Sequence, residues 1–455
     1  MERSGLGKDD GIDPEERRNP HQQRTANGQR VEETLPRDTT YMEVPGRIPM
    51  AVWLIATTSL WERFAYYSFI GPLQNYIQNR FHDPTVPGAL GLGEAKASLL
   101  VYYLTTTGAP LRPYQRGAYS RSGDERILLV RARPLVKLMC VNIGALSRIP
   151  ATFIERSSGF WAVNLMSTSA LFVALSVFCC GKRTFIFPEV QPNMLPKLWD
   201  VLTITVKSGF NINAARPEKI FWHVNRHVEW TSEFIEEVKT GLLACRIFVP
   251  FIFLILCQNQ MSTNTVSQAG ETETHGIPND LLPSLNSLTV ILTMPILSRI
   301  VYPVLLRAGV SFLPLTSMAF GFGLQTLGIA YTAGLQGWIY SSPPCYSKPR
   351  SCAASEHGAL PNRVSVLAQI PVYVILGLSE AFIYPASYAF AYNQAPTSMK
   401  SLVQSILLLC FAVGTILGLA LSPVYHDPYL LSIYASLAGV MFLITIIFAC
   451  LVLRK

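Results

Sequence analysis

Apolar runs of about 20 residues recur along this 455-residue chain, near 50–79, 160–180, 241–261, 281–306, 311–333, 365–391, 401–423 and 430–452. A helix of that length spans the hydrocarbon core of a bilayer, and in lipid a helix satisfies its own backbone hydrogen bonds. The pattern therefore predicts an all-α polytopic membrane protein. Composition agrees: 15% of residues are charged, 50% are hydrophobic and the mean hydropathy is +0.29, whereas soluble domains carry about 25% charged residues. A large water-soluble enzyme is excluded on those grounds.

Two weaker segments lie between the first run and residue 160. "SLLVYYLTTTGAPL" (98–111) is short for a crossing, and "PLVKLMCVNIGALSRIPATFI" (134–154) carries Lys137 and Arg148. Counting both gives about ten transmembrane helices. Basic residues gather in alternate connections: Arg112, Arg116, Arg121, Arg126, Arg131 and Arg133 in one, and Lys182, Arg183, Arg299, Arg307, Lys400, Arg454 and Lys455 in the others. That asymmetry predicts cytoplasmic loops there and both termini in the cytoplasm. Because the basic excess of 37 Lys+Arg over 29 Asp+Glu is spread this way, it points to a lipid bilayer and not to nucleic acid.

The chain divides into four regions. Residues 1–46, with seven Lys/Arg and ten Asp/Glu, are expected to be a disordered cytoplasmic tail. Residues 47–181 would form an incomplete N-terminal helical bundle, 182–240 a cytoplasmic linker and 241–455 a C-terminal six-helix bundle. Two bundles joined by a linker is the layout of transporters built from pseudo-symmetric halves. In the linker, "LWDVLTITVKSGF" and "FWHVNRHVEW" alternate apolar and basic residues, as interfacial amphipathic helices do.

Ionisable residues inside membrane spans are costly and mark function. Glu62 and Arg63 interrupt the first span, and Glu380 interrupts "IPVYVILGLSEAFIYPASYAFAYNQAP". A carboxylate in low dielectric takes up a proton more readily, which makes Glu62 and Glu380 candidates for proton coupling. An arginine stays charged and clamps a carboxylate through two parallel hydrogen bonds, which makes Arg63 a candidate for the substrate carboxylate. The pair Glu62–Arg63 could equally neutralise one another. Tyr66 and Tyr67 lie near that pair on the first helix, and Tyr373, Glu380 and Tyr384 share a later stripe at i, i+7 and i+11. Tyrosines beside a carboxylate suit an amphiphilic organic substrate.

His223 and His227, four residues apart, lack the further ligands a zinc site needs, so no metal is expected. No Ser/His/Asp or Cys/His arrangement is legible, and no catalytic residues are assigned. Of nine cysteines, Cys345 and Cys352 alone lie in a polar loop and would form a disulfide if that loop is extracellular.

"WERFAYYS" (61–68) resembles the first-helix signature E-x-x-E-R-F-x-Y-Y of the proton-dependent oligopeptide transporters, a branch of the major facilitator superfamily. "SQAGETETHGIPNDLLPSLN" (267–286) resembles the segment around the seventh and eighth helices of fungal members. "SEAFIYPASYAFAYNQAP" (379–396) resembles the tenth helix, and "MKSLVQSILLL" with "LGLALSPVYHDP" continues that pattern. "CVNIGALS" (140–147) and "GFW" (159–161) fit the fifth and sixth. The resemblance covers 50–100 and 122–455. It implies a two-bundle fold and proton-coupled symport of di- and tripeptides or peptide-like metabolites, with the proton gradient as energy source and no cofactor, at the plasma membrane. It implies roles for Glu62 and Arg63 in proton and carboxylate handling, for Glu380 toward the peptide amino terminus, and for Asn286 in lining the cavity. Ser59 stands where the signature has its first glutamate, and no G-T-G-G-I-K-like stretch with its lysine is present. Most of the second helix is degraded, and the third and fourth are expected to be missing. The alternative is a truncated, non-transporting paralogue.

Overall fold

The computed structural model describes residues 50–81, 88–93, 96–101, 138–184, 194–224, 228, 230–309, 313–356, 359–396 and 399–453. The tail 1–46, the arginine-rich segment 102–137 and His227 lie outside the described residues.

Helix α1 (Met50–Gln78) is the first long element. A helical stretch over 138–145 kinks at residues 146–147 and continues as α2 (Arg148–Ser158). Gly159 then turns the chain, with φ of 84°, into α3 (Phe160–Gly181). That conformation is open to glycine at no steric cost. These helices are tied chiefly through side chain to backbone: Ser147 donates to the Phe64 carbonyl at 2.8 Å and Ser167 to the Ala65 carbonyl at 2.6 Å. A Cβ on Gly144 would stand 2.7 Å from Arg63 Cβ and 2.8 Å from the Leu60 carbonyl, so glycine alone permits this approach to α1.

In the linker, helices form where amphipathic ones are expected, α4 (Met194–Lys207) and α5 (Pro217–Val224). Leu198, Val201 and Ile220 pack with Trp230, Phe234, Ile235 and Val238 in a small core that includes Met399. Trp230 Nε1 donates to the Ala215 carbonyl at 2.9 Å. Trp199, Val206 and Phe210 of the same segment stay exposed, so one side of the linker packs on protein while another remains open. Helix α6 (Ser232–Cys245) opens on a Thr231 cap, so the helical path starts at Ser232, earlier than the expected 241. A 3₁₀ turn over Arg246–Phe248 joins it to α7 (Pro250–Gly270).

Helix α8 (Ser284–Ile296) passes through a π turn, Leu297–Val301, into α9 (Tyr302–Arg307). Pro295 and Pro303 flank that turn, and each removes a backbone donor from the helical ladder. Then come α10 (Pro314–Ser341), α11 (Ile370–Asn393), α12 (Lys400–Leu421) and α13 (Leu430–Leu453). Between α10 and α11 a disulfide joins Cys345 to Cys352, with Cα atoms 5.5 Å apart. There β2 (Asn362–Ser365) pairs in parallel with β1 (Thr272–Glu273). We call this the disulfide end.

Six helical runs among the described residues are long and apolar enough to cross a membrane: 160–181, 232–270, 284–307, 366–393, 400–424 and 430–452. In 160–181 and 430–452 only 17% of the apolar window is covered by protein, which leaves residues such as Phe172 and Leu443 to face lipid. Helices α1 and α10 are as long but more polar, α1 with Glu62 and Arg63 and α10 with Gln325, Thr332 and Gln336 buried. Nine of the ten expected spans can thus be followed, one of them kinked. The tenth, 98–111, is described only over its helical start at 96–101.

Candidate functional site

The expected first-helix pair is closed on itself. The Arg63 guanidinium donates to both carboxylate oxygens of Glu62 and lies 5.0 Å from the Tyr66 ring centre. Neighbouring helical residues point about 100° apart, so the pair closes because the arginine stem is long. Arg63 is buried, whereas the Glu62 side chain is 43% exposed.

The second carboxylate has a different setting. Asn286 Nδ2 donates to Glu380 Oε1 at 3.1 Å, linking α8 to α11. A Cβ on Gly377 would fall 2.8 Å from the Asn286 carbonyl and 2.9 Å from Asn286 Oδ1, so this glycine lets the two helices meet. Asn286 Oδ1 itself is buried with no hydrogen-bond partner. Of the tyrosine stripe, Tyr384 donates to Gln258 Oε1 at 2.6 Å. Tyr373 is fully buried and donates to Thr265 Oγ1 at 3.0 Å. It belongs to the core with Ala269, Leu282 and Val366, which departs from the expected cavity position.

A cavity of about 200 Å³ lies between the N-terminal and C-terminal helices. At about 30 Å³ for each water in the liquid, that is room for roughly seven waters. Tyr66, Tyr67 and Gln74 line it from α1, Asn259 and Thr263 from α7, and Asp280 from the α7–α8 connection. Arg148, at the start of α2, also lines it, with its guanidinium 5.0 Å from the Tyr67 ring centre. Sequence reasoning missed Arg148, counting it only as a charge that weakened the 134–154 span.

Toward the disulfide end the two halves are tied together. Asn75 and Asn279 exchange amide hydrogen bonds at 3.1 Å, and Ser267 donates to Gln78 Oε1 at 2.8 Å. Ser98 donates to Asn264 Oδ1 at 3.2 Å and Thr152 to Asp280 Oδ2 at 2.9 Å. Beside that last bond the Glu155 carboxyl is buried against the Asp280 carboxyl, close enough for the two to share a proton. Burial holds the Asp280 carboxyl above the usual carboxylate range, against the opposing pull of the Thr152 bond. Among the described residues no group of His, Cys, Asp and Glu could hold a metal. The side chains of His223 and His227 lie outside the described ones.

A model of the POT family, PTR2, matches residues 137–436. Peptide transporter imqD of Aspergillus flavus is 38% identical over 419 residues, covering 91% of this chain and 90% of the relative. Peptide transporter PTR_B of Candidozyma auris is 31% identical over 470 residues, covering 86% and 80%. Since 91% of this chain is about 414 residues, the imqD match leaves only a handful of positions unopposed here. The PTR_B match takes in about 391 residues, so about 80 of its positions have no residue of this chain opposite them. The crystal structure of an auto-inhibited POT family peptide transporter superposes with a TM-score of 0.62 at 17% identity, covering 90% of this chain and 97% of that one. By these matches the chain belongs to the POT family, the proton-dependent oligopeptide transporters, and has their helical membrane fold.

Proposed function

We propose that this chain is a proton-coupled symporter of di- and tripeptides or peptide-like metabolites, with the proton gradient as its energy source and no cofactor. It is a multi-pass membrane protein, which we place in the plasma membrane with both termini in the cytoplasm. Small peptides, protons and the lipid bilayer are its partners. The observation that carries this reading is the Glu380–Asn286 pair. A carboxylate within a membrane span meets an amide whose Oδ1 is an unused acceptor, and together they offer an ammonium group a charge and a lone pair. Two relatives over 30% identical carry the name peptide transporter, which supports the same substrate class.

In this reading Glu380 receives the peptide amino group and Glu62 takes up the co-transported proton. Protonation of Glu62 removes the negative charge that holds Arg63 and frees the guanidinium toward Tyr66. Tyr66 and Tyr67 supply the amphiphilic wall, while Tyr373 and Tyr384 set the position of α11 against α7. We read the roughly 80 unmatched positions of PTR_B as two N-terminal helices and their loops that this chain lacks, at about 20 residues per span. The imqD match needs almost no such gap.

The experiment is uptake of a labelled dipeptide by cells without their own peptide carrier, at acid and at neutral outside pH. The intact chain gives acid-stimulated uptake, and Glu380→Gln abolishes it. Unchanged uptake by the variant would refute the role of Glu380.

A further inference from the structure

Two arginines come near the cavity, and their surroundings differ. Arg63 is occupied by Glu62 and Tyr66 and is absent from the cavity lining. Arg148 is the one cation among the residues that line the cavity. The fold places it there in three ways. The kink at residues 146–147 starts a new helix on Arg148, and the Ser147 hydroxyl pins that kink to the Phe64 carbonyl. A Cβ on Gly71 would stand 3.1 Å from Arg148 Cγ, so the arginine stem crosses α1 where there is no side chain. The guanidinium then settles over Tyr67, an arrangement that stabilises a cation away from water.

What is left over is a donor. Arg148 Nε is buried and has no hydrogen-bond partner, and no carboxylate among the described residues forms an ion pair with it. Asp280, also in the lining, is engaged by Thr152. The cavity therefore has an unsatisfied cationic fork on the N-terminal side. On the C-terminal side Asn259, Ser262 and Thr263 line it with neutral polar groups, which leaves Arg148 as the group that can answer a negative charge.

Resting on the peptide-transport reading, we propose that Arg148, rather than Arg63, holds the free carboxylate of the substrate. The guanidinium offers two parallel N–H groups to that carboxylate, and Tyr67 keeps it planar to the cavity wall. Arg63 is left to follow the charge on Glu62.

The test is calorimetric titration of the purified full-length chain with dialanine and with dialanine amide, which lacks the negative charge. A charge-assisted pair in a desolvated site is worth roughly tenfold to a hundredfold in affinity, so the intact chain should prefer the acid by that factor. Arg148→Gln should bind both ligands within about twofold of each other, at the affinity the intact chain shows for the amide. Arg148→Lys, which keeps charge without the fork, should retain part of the preference, and Arg63→Gln all of it. Equal binding of acid and amide by the intact chain would overturn the inference without any variant having to fold. A preference that survives in Arg148→Gln, or vanishes in Arg63→Gln, would also overturn it. If the amide binds but neither peptide is accumulated, it is the transport reading that fails.

Discussion

The two halves of the molecule hold themselves together differently. In the C-terminal half, serine-to-backbone bonds from Ser317 and Ser379 to the Phe382 and Gly321 carbonyls are joined by a chain of side-chain pairs: Gln369 Nε2 donates to Gln268 Oε1, Gln268 Nε2 to Gln336 Oε1 and Gln336 Nε2 to Glu271. Tyr384 reaches Gln258, and Tyr373 reaches Thr265. In the N-terminal helices the hydroxyls of Ser147 and Ser167 likewise reach backbone carbonyls of α1, but among the described residues no such chain of side-chain pairs runs between those helices. A side-chain network fixes one arrangement because each member satisfies another. Serine-to-backbone bonds hold a helix close without dictating its partner's identity. The C-terminal half is a self-consistent scaffold, and the N-terminal helices lean on it through Asn75–Asn279, Thr152–Asp280 and Gln78–Ser267.

That contrast can be broken on either side, and the largest effect belongs to Glu380→Gln, which should end acid-driven uptake altogether. Next, Gln336→Ala removes the acceptor of the Gln268 amide and one donor to Glu271. Because hydrogen bonds between membrane helices are worth about 0.6 kcal/mol on average and up to about 1.7, the loss should reach roughly 1–3 kcal/mol once the orphaned groups are counted, read as a lower midpoint in a thermal unfolding scan.

Asp280 gives an effect of pH. Its carboxyl is held above the usual range by burial, so the folded protein favours its neutral form more than the unfolded chain does. The stability this contributes is complete below the unfolded value of about 3.9 and is lost as pH rises through the raised folded value. Asp280→Asn should lessen that decline, and the buried Glu155 carboxyl beside it should keep the rest, measured as the unfolding midpoint across a pH series. The smallest effect is expected of Ser167→Ala, about 0.6 kcal/mol, because one serine-to-carbonyl bond is lost and the carbonyl keeps its helical partner. A larger loss there than at Gln336 would reverse the comparison.

The sequence was most legible where lipid sets the rules. The six runs from 241 onward are evident because a span must be apolar for about 20 residues, and the structure follows them with shifts of a few residues at most ends. Glu62, Arg63 and Glu380 stand out because charge in a span is rare. What hydropathy hides is direction. Arg148 read as a blemish in a marginal span, since nothing local shows that a kink at residues 146–147 and a gap at Gly71 turn it into the cavity. The capture of Arg63 by Glu62 depends on stem length, which a helical wheel leaves out. Tyr373 shares a face with Glu380, yet two turns along the helix the same face meets α7 and is covered. The linker's alternating pattern was real, and one side of it serves a small protein core with Met399.

The most direct test of coupled transport is reconstitution of the intact chain into liposomes with an inward proton gradient and a labelled dipeptide outside. The account predicts accumulation above the outside concentration, collapsing when a protonophore is added. Peptide bound to the protein but never concentrated inside, with or without the gradient, would contradict it and favour a chain that binds without transporting.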